Sequence, residues 1–202
     1  MLVTVVLLGA CGDSTASSTR TTVRNTTTKP AVSTGVPTTT VVASATDPAT
    51  LGAPTLIDTS TVGLRAIGAI TFGMSIQDAE KAGGTRLLLE GAPAGVSGCQ
   101  VMRPERAPTG IRFSVVKGAV ARVDVNEGPV KTKSGAGIST TVANLQKIYP
   151  ANLVPTADGR SFLYVPKDAV DADYRVVFDT DGTKVTSYRA GKVPTVLAAA
   201  PC

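Results

Sequence analysis

The chain contains no histidine and no tryptophan, only eight aromatic residues, three cysteines, and no apolar run as long as a bilayer-spanning helix requires. Without histidine the commonest metal ligand and the usual general base near neutral pH are gone, which excludes His-dependent triads and zinc proteases. Charged residues are scarce at 17%, and their excess is basic, +5 over 202 residues. What is present is aliphatic: 43% of the residues are hydrophobic while only 4% are aromatic. That length allows one ordinary domain with an appendage.

The appendage is N-terminal. All eight aromatics (Phe72, Phe113, Tyr149, Phe162, Tyr164, Tyr174, Phe178 and Tyr188) follow residue 70, whereas close to half of the residues from Gly12 to Thr50 are Ser or Thr. A polar stretch with scattered Pro and no hydrophobic periodicity cannot bury enough apolar surface to offset the entropy of ordering it. Residues 11–56 therefore read as a disordered linker, and residues 57–202 as the globular domain. O-glycosylation of the Thr-rich linker is a further expectation.

Residues 1–10 are apolar and uncharged and run into Cys11. Leu8-Gly9-Ala10-Cys11 resembles the lipobox of bacterial lipoproteins, a Leu, two small residues and the cysteine that is cleaved and lipidated. The resemblance makes residues 1–10 a lipoprotein signal segment and Cys11 the lipidated first residue of the mature chain, held at the outer face of the cell membrane. The basic residues that normally precede the apolar stretch are missing, which points to a start codon upstream. With Cys11 lipidated, Cys99 and Cys202 remain as an even pair in an exported chain, and an intramolecular disulfide is expected. Two independent thiols would require the lipobox reading to fail as well.

Within the globular part, Phe72 to Gly84 lines up weakly with Ile138 to Pro150. In the first segment Ser75 can cap a helix whose stripe is Ile76, Ala79 and Ala82, ended by Gly83-Gly84. In the second, Thr141 takes the cap, Val142, Leu145, Ile148 and Tyr149 form the stripe, and Pro150 blocks continuation. Hairpins follow: residues 111–116 and 120–125 around Lys117-Gly118, then 174–178 and 185–188 around Asp181-Gly182. Residues 100–102 and 161–165 are candidate third strands. Helix then strands, twice, predicts an α+β fold of two tandem helix-plus-antiparallel-hairpin repeats forming a sheet with both helices on one face.

The phrase Ile70-Thr-Phe-Gly-Met-Ser75 ahead of a helix ending at Gly83, the strands with Gly118-Ala-Val120 and Val123-Asp-Val125, and the tail Tyr188-Arg-Ala-Gly191, Val193-Pro194 and Cys202 resemble a group of actinobacterial extracytoplasmic lipoproteins. Their tandem helix-hairpin domain is similar to the β-lactamase-inhibitor protein fold and to SmpA/OmlA-type lipoproteins. The resemblance implies protein binding; it carries over no contact residues.

Sharper chemistry is not supported by spacing. With Gly182 at position six of a calcium loop, Val177 and Tyr188 fall where carboxylates are required, so a turn is expected there. Asp168, Asp171 and Asp173 read as a solvated loop. The glycines at 135 and 137 complete neither a dinucleotide fingerprint nor a nucleophile elbow. A Ser/Lys hydrolase needs no histidine, and Ser134 adjoins Lys133 near Ser139, yet the domain has no Ser-x-x-Lys motif. The cations (Arg65, Arg103, Arg106, Arg112, Arg122, Lys131 and Lys133) are interspersed with Glu90, Glu105, Asp124 and Glu127, which argues against a nucleic-acid groove. The sequence therefore predicts a tethered extracytoplasmic binding or adaptor lipoprotein that contacts another envelope protein through an open sheet face, without catalytic residues, metal or cofactor. A wall-associated spacer and a His-independent hydrolase are the alternatives.

Overall fold

The structure, a computed structural model, describes residue 47, residues 50–91 and residues 98–202. Cys11 and nearly all of the Ser/Thr-rich span lie outside the described residues. Residues 50–56, the end of that span, lie against the domain: Leu51 and Leu56 are buried, and the Thr55 and Leu56 N–H groups donate to the Gly83 carbonyl at 3.0 and 2.9 Å.

The chain begins with three two-residue strands, β1 (Thr61–Val62), β2 (Ala66–Ile67) and β3 (Ile70–Thr71), followed by helix α1 (Ile76–Gly83). Four strands follow: β4 (Leu87–Glu90), β5 (Cys99–Pro104), β6 (Ile111–Val116) and β7 (Ala119–Val125). After β8 (Lys131–Thr132) and α2 (Val142–Ile148) come β9 (Leu153–Pro155), β10 (Ser161–Tyr164), β11 (Tyr174–Thr180) and β12 (Val185–Lys192). Eight strands form one antiparallel sheet in the order β4-β5-β6-β7-β12-β11-β10-β9, and β3-β2-β1-β8 form a small second sheet.

This corrects the expected fold class. Among the described residues the molecule is mostly β, with two sheets and two α-helices, of eight and seven residues, rather than two helix-plus-hairpin repeats. The hairpins at 111–125 and 174–192 exist, but each is embedded in a run of four strands. The outermost strands, β4 and β9, escape a reading by periodicity because Leu87-Leu-Leu89 is a continuous apolar run and Leu153–Pro155 is only three residues long, so neither shows period-two alternation. The two-residue strands of the small sheet are shorter than any periodic signal.

Local chemistry explains the elements that were legible. The Ser75 and Thr141 hydroxyls accept from the Asp78 and Asn144 N–H groups, each at 3.2 Å, and so satisfy donors that a helix start leaves open. Lys117 and Gly118 have φ of 51° and 80°, the two left-handed residues of a hairpin turn whose twist matches its strands. Along β7 and β12 side chains alternate. Val123, Val125, Tyr188 and Ala190 enter the core beside Phe113, Phe178, Ile67, Ile70, Ala79 and Leu145.

The Asp181-Gly182 turn carries a testable electrostatic consequence. The Asp181 carboxylate accepts from the Thr183 hydroxyl at 2.7 Å and from the Lys184 and Thr183 N–H groups, both at 2.9 Å. These bonds favour the charged form and bring its pKa from the ordinary 3.8 to about 2. The unfolded chain binds this proton first, so the turn's contribution to stability is complete above pH 4 and is lost as pH falls towards 2. An NMR titration of the side-chain carboxyl should find a midpoint near 2, and Thr183→Val, which deletes the hydroxyl donor, should move it towards 3.8.

Candidate functional site

The sheet face opposite the core is the one the sequence left open for a partner. The structure crosses its centre with the C-terminal tail. A single 3-10 turn, Thr195–Leu197, lies on β7, β11 and β12, and its Val196 is fully buried. The Cys99–Cys202 disulfide ties the end of the chain to β5, with Cα atoms 5.6 Å apart. Beneath the tail sit two arginines that the sequence did not single out as buried. Arg122, one of the dispersed cations of the sequence, is 1% exposed; Arg189 is 7% exposed. Arg122 donates from Nε to both Asp124 carboxylate oxygens, at 3.0 and 2.9 Å. Its Nη1 donates to the carbonyls of Thr195, Ala198 and Ala200 at 3.1, 2.7 and 3.2 Å. Arg189 pairs with Asp179 and donates from Nε to the Val196 carbonyl at 2.8 Å. Burial raises the Asp124 pKa, and the Arg122 hydrogen bond opposes that rise. All of these acceptors are internal, so this seam holds the tail; beside it the buried Ser114 hydroxyl, opposite Arg122 in the β6–β7 ladder, has no hydrogen-bond partner among the described residues.

Among the concave places of the described residues, a shallow one of about 330 Å3 at the start of α2 is lined by Ser139, Thr140, Thr141, Asn144 and Lys147; two others bring charged or aromatic side chains together. The larger, about 380 Å3, is a groove at the end of the sheet lined by Glu90, Arg103 and Arg112 from β4, β5 and β6, by the 104–110 loop and by Asn126 and Glu127. Arg112 clamps Glu90 through two parallel bonds, Nε to Oε2 at 2.9 Å and Nη2 to Oε1 at 2.7 Å, which hold the Glu90 carboxyl below its usual range. Gly110 closes the floor: a Cβ there would stand 2.6 Å from the Glu127 carbonyl oxygen, and its φ is +71°. Around this fixed floor Arg103, Glu105, Arg106 and Glu127 are exposed, and none is in an ion pair among the described residues. The groove adjoins β4, an outer strand with no neighbour on its far side among the described residues, whose Leu89 is 37% exposed.

The second is a cleft of about 260 Å3 between the small sheet and the β10–β11 flank. Tyr149 and Tyr164, half-buried, form its wall with ring centroids 5.1 Å apart and planes inclined at 54°. The Tyr149 hydroxyl donates to Thr132 Oγ1 at 2.8 Å, and the same oxygen accepts from the Ala136 N–H at 3.0 Å. At the rim Arg65 pairs with Asp171, and the Arg65 guanidinium also lies 5.1 Å over the Tyr174 ring. Lys133 and Ser134 stand at the mouth, both exposed, with no hydrogen bond between them among the described residues.

The other residues that the sequence pattern singled out are dispersed. Asp168 caps the Val170 N–H and Asp171 is taken by Arg65; the described residues bring no three carboxylates or thiols together as a metal site. Ser139 is exposed at φ 66°. Cys11 lies outside the described residues, and no helix among them is long and apolar enough to cross a membrane. Neither concavity is legible in the sequence. Tyr149 falls within an apolar helical stripe and so reads as core, and the 104–110 loop offers no periodic signal. The Arg122-Val-Asp124 spacing, which places opposite charges on one strand face, is the clue to the buried seam.

No protein-family model matches the chain, and no curated protein matches it in sequence. Among solved structures it is similar to the uncharacterized protein YfeY from Escherichia coli, at 15% identity over 66% of this chain and 100% of that one, with a TM-score of 0.42. It is also similar to an extracellular protein containing an SCP domain from Bacillus anthracis, at 13% identity over 62% of this chain and 45% of that one, with a TM-score of 0.42. Neither likeness is close enough to carry an argument.

Proposed function

We propose that the protein is an extracytoplasmic binding or adaptor lipoprotein, tethered through Cys11, that contacts another cell-envelope protein through the groove beside β4. The observation that carries this reading is the ring of four exposed charges of both signs, Arg103, Glu105, Arg106 and Glu127, in no ion pair among the described residues, around a floor held by the Arg112–Glu90 clamp. Mixed exposed charge on a rigid floor suits a specific, electrostatically registered protein interface. The adjoining outer strand offers a partner strand a place to pair. The disulfide accords with an oxidising compartment. A hydrolytic reading is less favoured, because a Ser/Lys nucleophile needs a lysine desolvated beside the serine, whereas Lys133 and Ser134 are both exposed.

The test is capture from the organism's own envelope with the full chain as bait. Arg103→Glu with Arg106→Glu should reduce recovery of the partner about tenfold or more, because reversed charges face the partner's complementary ones. Cys11→Ser should release the protein from membranes while leaving capture by the isolated chain intact. Undiminished capture by the charge-reversed variant would remove the groove from the interface.

A further inference from the structure

We propose that the tyrosine cleft is a second, independent site, which binds one sugar unit bearing an anionic substituent. The site uses a different surface from the groove and does not depend on the protein partner assigned to it.

The lining decides the ligand's chemistry. Tyr149 and Tyr164 provide aromatic surface for the apolar C–H face of a pyranose ring. Thr132, Ser134, Tyr149 and Tyr164 also bring hydroxyl-bearing side chains to the lining. Thr132 is buried and its Oγ1 accepts from Tyr149 and from the Ala136 N–H, which fixes the Tyr149 hydroxyl in place; the Tyr149 oxygen, having donated its proton, keeps acceptor capacity. An apolar peptide side chain would desolvate these groups without satisfying them, at a cost comparable to lost hydrogen bonds. A polyol offers donors and acceptors to each. A cleft of about 260 Å3 has room for one ring rather than a length of polymer.

Charge selects among sugars. Asp171 and Arg65 neutralise each other at the rim, and Arg65 is further held over Tyr174. Lys133 is the lining charge with no carboxylate at ion-pair distance among the described residues. Its stem runs past Gly63, where a Cβ would stand 3.1 Å from Lys133 Cε, so the absence of a side chain at 63 leaves the lysine its path along the cleft wall. An exposed ammonium at the mouth of a hydroxyl-lined aromatic cleft complements a ring that carries a carboxylate outward.

The experiment titrates the full chain with trigalacturonate and with its uncharged methyl ester, reading tyrosine ring shifts by NMR and tyrosine fluorescence. Both should bind, the acid about fivefold more tightly, the weight of one exposed ion pair. Lys133→Gln, at an exposed position, should erase that preference while keeping the ester's affinity. Tyr164→Ala should abolish both, with Tyr164→Phe retaining ring stacking and most of the binding as the control for folding. Failure of either sugar to shift the Tyr149 and Tyr164 signals would overturn the proposal. So would equal affinity for acid and ester in the unaltered chain, or tighter binding of triglutamate than of trigalacturonate, which would assign the cleft to an acidic peptide instead. Because Arg103 and Arg106 are not in this cleft, their charge-reversed variant should bind trigalacturonate normally, and that separates failure of this site from failure of the groove.

Discussion

Arg122→Met should destabilise the domain by about 3–5 kcal/mol, the range for removing one partner of a buried ion pair. The arginine is 1% exposed and holds Asp124 and three tail carbonyls at once, so its loss leaves a largely buried carboxylate and three tail carbonyls with fewer donors. The variant's deficit should shrink as pH falls. Burial already raises the Asp124 pKa, and without Arg122 nothing as close opposes that rise, so the folded form binds the proton at higher pH than the unfolded one. Stability then increases as pH drops through the raised value towards 3.8, the reverse of the Asp181 trend. Urea unfolding of the Arg122→Met protein at pH 7 and pH 5 checks both parts. A loss that is the same at both pH values would mean that Asp124 is not the group left exposed to the penalty.

Replacing Cys99 and Cys202 together by serine should cost about 2–4 kcal/mol, below the ceiling of about 4.7 kcal/mol for a closed loop of roughly 100 residues in the chain-entropy treatment. The two positions are 103 residues apart, so the bond constrains most of the domain in its unfolded state. The loss should be felt first in the tail. Residues 193–202 place one fully buried side chain, Val196, into the fold and otherwise depend on the Val193 N–H bond to the Asp173 carbonyl and on carbonyl bonds to Arg122 and Arg189. Hydrogen exchange in the double-serine protein should accordingly quicken at the Leu197 and Ala198 amides before it quickens in β7. An unfolding free energy unchanged by the substitution would show that the arginines hold the tail without the covalent bond.

How far the sequence can be read depends on whether an element writes its own signal. Ser75, Thr141, Lys117-Gly118 and Asp181-Gly182 act locally, through caps and turns, and each marks its element. The assembly is non-local. The junction of β7 with β12 pairs Val125 with Tyr188 and Asp124 with Arg189 across more than sixty residues, and no window of sequence contains both sides. The same holds for the candidate sites. Arg112 meets Glu90, and Tyr149 meets Tyr164 and Thr132, only because separate strands and a helix end converge. Cysteine parity is the long-range feature available from composition, because an exported chain restricts what two thiols can do. Arg122 misleads for the opposite reason: a charged residue is ordinarily at the surface, and only the tail folded over it makes it otherwise.

Tyr188 gives the protein a built-in optical gauge of its own integrity. Its ring is 1% exposed, and its hydroxyl donates to the Val130 carbonyl at 2.9 Å. Burial pushes its pKa well above the ordinary 10.0. A chain without tryptophan has a tyrosinate absorbance band free of indole interference. In an alkaline titration the Tyr188 phenol should remain protonated after an unfolded tyrosine would have ionised. The folded state therefore loses stability as pH rises beyond 10, and delayed growth of tyrosinate absorbance times the opening of the core.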